Sequence, residues 1–292
     1  MQHDLVISEN AEVWYEDYHA LHEISMGVKK GEVIGLIGPN GCGKSTLLRA
    51  INGILKTHSG TIYVDGKNTA GTSLPEMAKV CANVPTEFPP DFNLKVSEVV
   101  MMGRYPHRKG MWETLEDEEV VENALHLFEI DHLKNRNISN LSSGERQRTL
   151  IAKAYVQQPK IMLVDEPTSH LDIRYSLEVM EYFRGLVKQD TDMAVIIACH
   201  DLNLATKYCD RLVMVKEGRI VATGTPEEII TAENIAQVYN VRAKIIMEDG
   251  VLVTIPLESL STKIYASQNN SPIKQSVLKS EVSADEAKQE KC

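Results

Sequence analysis

The run Gly38-Pro39-Asn40-Gly41-Cys42-Gly43-Lys44-Ser45-Thr46 fulfils G-x-x-x-x-G-K-[ST] directly after an apolar stretch and before a helix carrying Leu47, Leu48, Ile51 and Leu55. Phosphate oxygens accept several backbone N–H groups only if the chain comes close, which glycine at 38, 41 and 43 permits. The helix that follows aims its unpaired N–H groups and positive dipole end at the anion. In this pattern Lys44 reaches the β and γ phosphates, and the Ser45 hydroxyl ligates Mg²⁺.

A second chemical pair, Asp165-Glu166, ends the apolar run Ile161-Met162-Leu163-Val164, where α/β sheets place their ligands. Asp165 suits a Mg²⁺ shell and Glu166 a general base that polarises the attacking water. Ser142 and Glu145 in Asn140-Leu141-Ser142-Ser143-Gly144-Glu145 have capping-box spacing. By spacing alone they do no more than start a helix. A sharper reading is a second anion site, built from the Ser142 hydroxyl and the Gly144 N–H at a helix N-terminus. A lone histidine at a strand end, such as His200, is more often structural. Tyr15, an aromatic in a β run, reads first as packing.

The elements that must carry these groups alternate. Val33 to Ile37 is apolar on both faces and reads as a central parallel strand, as do Ile161 to Val164 and Ala194 to Ile197. Leu5 to Ser8, Val13 to Tyr15 and Thr61 to Val64 read as short strands, the last closed by a turn at Asp65-Gly66. From about 90 to 158 the period is helical. Glu113 to Ile130 places Val120, Val121, Ala124, Leu125, Leu127 and Phe128 on one side, and Glu113, Glu116, Asp117, Glu118, Glu119 and Glu122 on a solvated face. Hairpins are expected at Glu217-Gly218 and Asp249-Gly250, with a capping box at Thr225 and Glu228.

The chain has 292 residues, 43% of them hydrophobic, enough for a sizeable core, and a net charge of -10. That charge argues against nonspecific nucleic-acid binding, which draws on Lys and Arg. The longest apolar run, Met193 to Cys199, is far short of the roughly 20 residues of a membrane-spanning helix. The first residues lack the pattern of a secretory signal, so a cytoplasmic location is expected. Five cysteines without a C-x-x-C pair read as reduced thiols. Cys42, beside Lys44 at a helix N-terminus, is expected to have a stabilised thiolate that maleimide attacks and MgATP protects.

Taken in order, the Walker A run at Gly38 to Thr46, the LSGGQ-like Leu141 to Glu145, Walker B at Asp165-Glu166, Ser169-His170-Leu171-Asp172 and His200 resemble the ATPases of ATP-binding-cassette transporters over about residues 5 to 240. The resemblance implies an α/β P-loop NTPase with an antiparallel β subdomain and an inserted helical subdomain. It implies a homodimer in which ATP lies between Walker A of one chain and the signature of the other, so that Ser142 acts in trans. It also implies that His200 contacts the γ phosphate and that Tyr15 stacks on adenine.

Gly103-Arg104-Tyr105-Pro106-His107-Arg108, by itself a basic loop suited to an exposed contact, is similar to a segment in ATPases of iron(III)-siderophore, haem and cobalamin importers. Thr225 to Glu228 and Val238 to Val241 fit the same group. The partners so implied are two integral-membrane permease subunits and, indirectly, a substrate-binding protein, with the ATPase on the cytoplasmic face of the membrane. The alternative is a soluble ATPase of an assembly or ribosomal complex.

The expected domains are an ATPase unit over 1–240, a β appendix over 241–260 and a disordered tail over 261–292. Two departures stand out. Thr86 occupies the place where the family has Gln, which makes it a short candidate Mg²⁺ ligand with Glu87 or water as compensation. The signature has Ser143 and Glu145 where Gly and Gln are commonest, and Glu145 adds a negative charge unless it turns back on its own helix.

Overall fold

The computed structural model describes residues 4–86, 93–108, 110 and 113–260. An antiparallel pair opens it, β1 (Val6–Tyr15) and β2 (Tyr18–Val28), followed by β3 (Val33–Ile37) and helix α1 (Lys44–Ile51). β4 (Ser59–Val64) returns to pair with β1, and β5 (Lys67–Asn68) completes a four-stranded sheet in the order β2-β1-β4-β5. The two short runs read at Leu5 to Ser8 and Val13 to Tyr15 are one strand. Asn10 takes φ 47 and the register shifts between Ser8 and Ala11, so a bulge absorbs the polar break.

After α2 (Leu74–Met77) comes β6 (Cys81–Val84), then a helical lobe of α3 (Val96–Met101), a 3₁₀ turn (Met102–His107), α4 (Leu115–Leu127) and α5 (Ser143–Tyr155). The chain returns through β7 (Ile161–Asp165), α6 (Ile173–Gln189), β8 (Ala194–Ala198), α7 (Leu202–Tyr208), β9 (Arg211–Lys216) and β10 (Arg219–Gly224). The second sheet has the order β10-β9-β3-β8-β7-β6, parallel except for β10 at its edge. Its central strands are covered on both faces. Val33 and Ile37 enter the core under the helical lobe and α6, whereas Ile34 and Leu36 enter the core shared with α1 and the first sheet.

Two short helices, α8 (Pro226–Ile229) and α9 (Ala232–Tyr239), lead to a separate hairpin of β11 (Val241–Glu248) and β12 (Val251–Ser259). Asp249-Gly250 turns it with φ 49 and 74, both left-handed, the combination a tight hairpin turn requires. Asn203 and Thr206 of α7 bond to its main chain at Thr254 and Leu252. The tail expected over 261–292 lies outside the described residues. Among the described residues, no helix is long and apolar enough to cross a membrane.

Two expectations about the helical lobe change. Asp117 leaves the solvated face of α4 and is only 5% exposed. It closes a capping box with Thr114 and accepts from Arg104 Nε at 2.8 Å, which holds its carboxyl down at about 2. Arg104 is likewise no exposed contact. Its guanidinium also donates to Val156 O and Gln158 Oε1, both at 2.8 Å, while His107 donates to Gln157 O at 2.7 Å. The basic loop thus ties the 3₁₀ turn to the end of α5, and Tyr105 is what it exposes.

Candidate active site

β3 delivers the phosphate loop at the carboxyl end of the parallel sheet. Gly38 has φ 151, and a Cβ there would sit 2.1 Å from Val215 O and 2.7 Å from Cys42 Sγ. Gly43, the N-cap of α1, has φ 111, where a Cβ would meet Leu21 at 2.8 Å. α1 has no side-chain cap and no acid in its first turn, whereas Ser142, Asp172 and Asp201 cap α5, α6 and α7. The first N–H groups of α1 are thereby left to an anion. Lys44 is 4% exposed and donates to Gly38 O (2.9 Å) and Pro39 O (3.2 Å); among the described residues no carboxylate pairs with it. A buried ammonium held only by carbonyls is short of a counter-charge.

Across the loop stands the end of β7. Asp165 Oδ1 accepts from the Ser45 hydroxyl at 2.9 Å. Burial, set against that hydrogen bond and aided by the charge on Glu166, pushes the Asp165 carboxyl up. A divalent cation would reverse this imbalance. The described residues hold no cluster of three His, Cys, Asp or Glu groups suited to a metal. A cation here would find two oxygens, Ser45 Oγ and Asp165 Oδ1, and would need phosphate and water for the rest, as is common for Mg²⁺.

Glu166 follows in a left-handed conformation (φ 48), its amide donating to Ala198 O of the neighbouring strand at 3.1 Å. Its Oε1 is paired with Nε2 of His200. A cleft of about 210 Å³ gathers Asn40, Gly41, Gly43, Lys44, Ser45, Thr46, Glu166 and His200.

The other sequence candidates lie outside that lining. Thr86 spends its hydroxyl on the main chain, donating to Asp165 O at 2.9 Å. Glu87 is outside the described residues. At the start of α5 Ser142 is exposed and Gly144 is buried, and neither lines the cleft. Glu145 turns back, its Oε2 accepting from Ser142 N at 2.8 Å and Ser142 Oγ at 2.7 Å. Gly144 lies under the Tyr175 ring, 2.8 Å from where a Cβ would be.

Cys42 is a correction. It is 3% exposed, and burial pushes its thiol up despite Lys44, so it is not a stabilised thiolate. The aromatic in the cleft is Tyr18, whereas Tyr15 does not line it. Tyr15 and Tyr18 are register partners across a two-residue turn with Glu16 at φ 51. A Tyr-x-x-Tyr spacing around such a turn is the signal that points to the second tyrosine.

The sequence pattern of the ABC transporter family matches residues 21–169. An uncharacterized ABC transporter ATP-binding protein of Methanocaldococcus jannaschii is 40% identical over 85% of this chain and 96% of its own length. This chain belongs to the ABC transporter family. As an ATP-binding subunit of that family it is an ATP-hydrolysing enzyme with the P-loop NTPase fold. Another similar ABC protein is the ferric enterobactin transport ATP-binding protein of Escherichia coli, 35% identical over 85% of this chain and 93% of that one. The cobalamin import ATP-binding protein of Halobacterium salinarum is 37% identical over 77% of this chain but only 56% of its own length. Among solved structures, a dimeric ATP-binding cassette in a post-hydrolysis state with ADP and Pi superposes with a TM-score of 0.67 at 26% identity, covering 76% of this chain and 98% of that one.

Proposed function

We propose that two copies of this chain form the ATP-driven core of an importer for an iron(III) chelate, haem or cobalamin, docked on two separate permease subunits at the cytoplasmic face of the membrane. One observation carries the dimer. The Ser142 hydroxyl and the Gly144 amide do not line the cleft that holds Lys44, Ser45, Glu166 and His200. That cleft, at about 210 Å³, is smaller than the roughly 300–1,000 Å³ that encloses a small-molecule ligand. A second chain presenting its α5 N-terminus would complete it, and the dimeric ADP-bound relative supports that arrangement.

In this reading Lys44 turns from the Gly38 and Pro39 carbonyls to the phosphates, and the first amides of α1 hold them in place. Ser45 and Asp165 hold Mg²⁺, which when bound neutralises charge on the phosphate oxygens. Glu166 accepts the proton of the attacking water. His200 cannot pair with Glu166 and donate to a γ-phosphate oxygen through the same Nε2. Engaging phosphate therefore frees the Glu166 carboxylate for water, so the base becomes available only when substrate is in place. Tyr18, with Tyr15 beside it, offers the aromatic platform for adenine.

A larger cleft, about 500 Å³, lies elsewhere, between α3, the 3₁₀ turn and α4. It is lined by Met101, Met102, Tyr105 and Val121 together with Glu98 and Glu118, and contains nothing that would act on phosphate. It suits the permease contact, because cytoplasmic loops of membrane proteins carry an excess of Lys and Arg.

The test is co-expression with candidate permeases and reconstitution of the complex that co-purifies. Its ATPase rate should rise when a binding protein loaded with a ferric siderophore, haem or cobalamin is added. Stimulation by ribosomes or a soluble assembly instead, with no permease retained, would overturn the importer reading.

A further inference from the structure

α9 ends on Tyr239, and Asn240 then takes a left-handed conformation (φ 54) that turns the chain into β11. The Tyr239 side chain packs against the core that contains Cys199, Cys209 and Met214. Its hydroxyl oxygen is buried and makes no hydrogen bond of ordinary geometry with protein atoms. The groups that act on it are the Gly38 amide and the thiols of Cys42 and Cys199. Burial pushes the phenol far up, so the oxygen keeps its proton and its lone pairs stay open to a donor.

All three neighbours belong to the machinery around the phosphates. Gly38 and Cys42 are in the loop itself. Cys199 immediately precedes His200, and its amide donates to Leu36 O on the strand that delivers the loop, at 2.9 Å. The segment bearing Tyr239 is firmly held, since Lys216 Nζ donates to Gln237 O at 2.7 Å and Leu260 N to Asn240 O at 2.7 Å. The hairpin that follows is fastened to α7, the helix capped by Asp201 next to His200: Thr254 N donates to Asn203 Oδ1 at 2.8 Å, and the Thr206 hydroxyl to Leu252 O at 2.9 Å. One C-terminal unit thus reaches the phosphate loop through Tyr239 and the helix after His200 through its hairpin.

We propose that Tyr239 is a positioning residue for nucleotide binding, whose hydroxyl accepts a hydrogen bond from the Gly38 amide when phosphate draws the loop into place. A buried hydroxyl without an ordinary partner is a cost, and gaining one is a benefit realised only with ligand bound. This distinguishes Tyr239 from a hydroxyl that serves the fold alone. The inference rests on nucleotide binding and not on import, so the failure of one would not be mistaken for the failure of the other.

The experiment compares the full chain with its Tyr239→Phe variant, both also carrying Glu166→Gln so that ATP persists. Melting is followed with and without MgATP, and ATP affinity is titrated. The proposal expects an unchanged or raised Tm without nucleotide, an ATP Kd weakened about 2- to 10-fold, and a smaller rise in Tm on adding MgATP. In the otherwise unmodified enzyme, Tyr239→Phe should raise KM by a similar factor and leave kcat nearly constant. A lower Tm without nucleotide at unchanged Kd, as a purely structural or water-bridged hydroxyl would give, overturns the proposal. So does a variant identical to the parent in every measurement.

Discussion

The Ser45 hydroxyl donates to Asp165 Oδ1 at 2.9 Å although the two residues are 120 positions apart. The contact joins the first turn of α1 to the end of β7 across the intervening strand β8. Asp165→Asn keeps a hydrogen-bond acceptor there and removes the charge. ATP affinity measured in EDTA should change by no more than about twofold, while the gain in affinity from Mg²⁺ disappears and turnover falls about 10²–10³-fold. Retained Mg²⁺ dependence would remove Asp165 from the metal site.

Glu166→Gln leaves the partner of His200 in place without its basicity. Turnover should fall about 10²–10⁴-fold with ATP binding intact, and the variant should run as a dimer in MgATP and as a monomer without it. Measurable wild-type turnover in this variant would rule Glu166 out as the base.

The places of Lys44 and Ser45, at the start of α1, and of Asp165 and Glu166, at the end of β7, are legible in the sequence because each lies in a local pattern whose backbone geometry the pattern itself demands. The central strands are legible for a similar reason, since Val33 to Ile37 is apolar on both faces. What escapes is whatever depends on a distant partner. Asp117 looks like one more acid on a charged face until Arg104 reaches it from the 3₁₀ turn. Cys42 looks activated by Lys44 until the walls of the loop close over its sulfur. Thr86 looks like a short substitute for a ligand, and it bonds instead to the main chain of the residue that would hold the metal.

Asp117 also sets a pH dependence. Its folded pKa, about 2, lies below the ordinary 3.8 because Arg104 and Thr114 bond to the charged form. The stability it contributes is fully present above the ordinary value and is lost as pH falls through about 2. Asp117→Asn, which strands a buried guanidinium, should cost about 3–5 kcal/mol at neutral pH. Its stability should vary less than that of the wild type between pH 4 and 2. Chemical denaturation across that range checks both.

Cys42 should resist maleimide. At pH 7 the folded chain should label there at least about tenfold more slowly than the urea-unfolded chain, with or without MgATP. Rapid labelling blocked by nucleotide would restore the picture of a stabilised thiolate.

Gly144→Ala should strain the start of α5, because the new Cβ falls 2.8 Å from Cδ1 of Tyr175. A loss of about 1–3 kcal/mol is expected. The same change in a Tyr175→Ala background should cost much less, a coupling that a double-mutant cycle measures. Equal costs in both backgrounds would place the strain elsewhere.

Glu166 holds a left-handed backbone (φ 48) that costs a non-glycine residue about 1–3 kcal/mol. A library screened only for heat resistance should drift towards Gly or Asn at 166, and the winners would be robust and idle. Screening for turnover would bring glutamate back. At this one position durability and work select opposite residues, and the chain keeps the one that works.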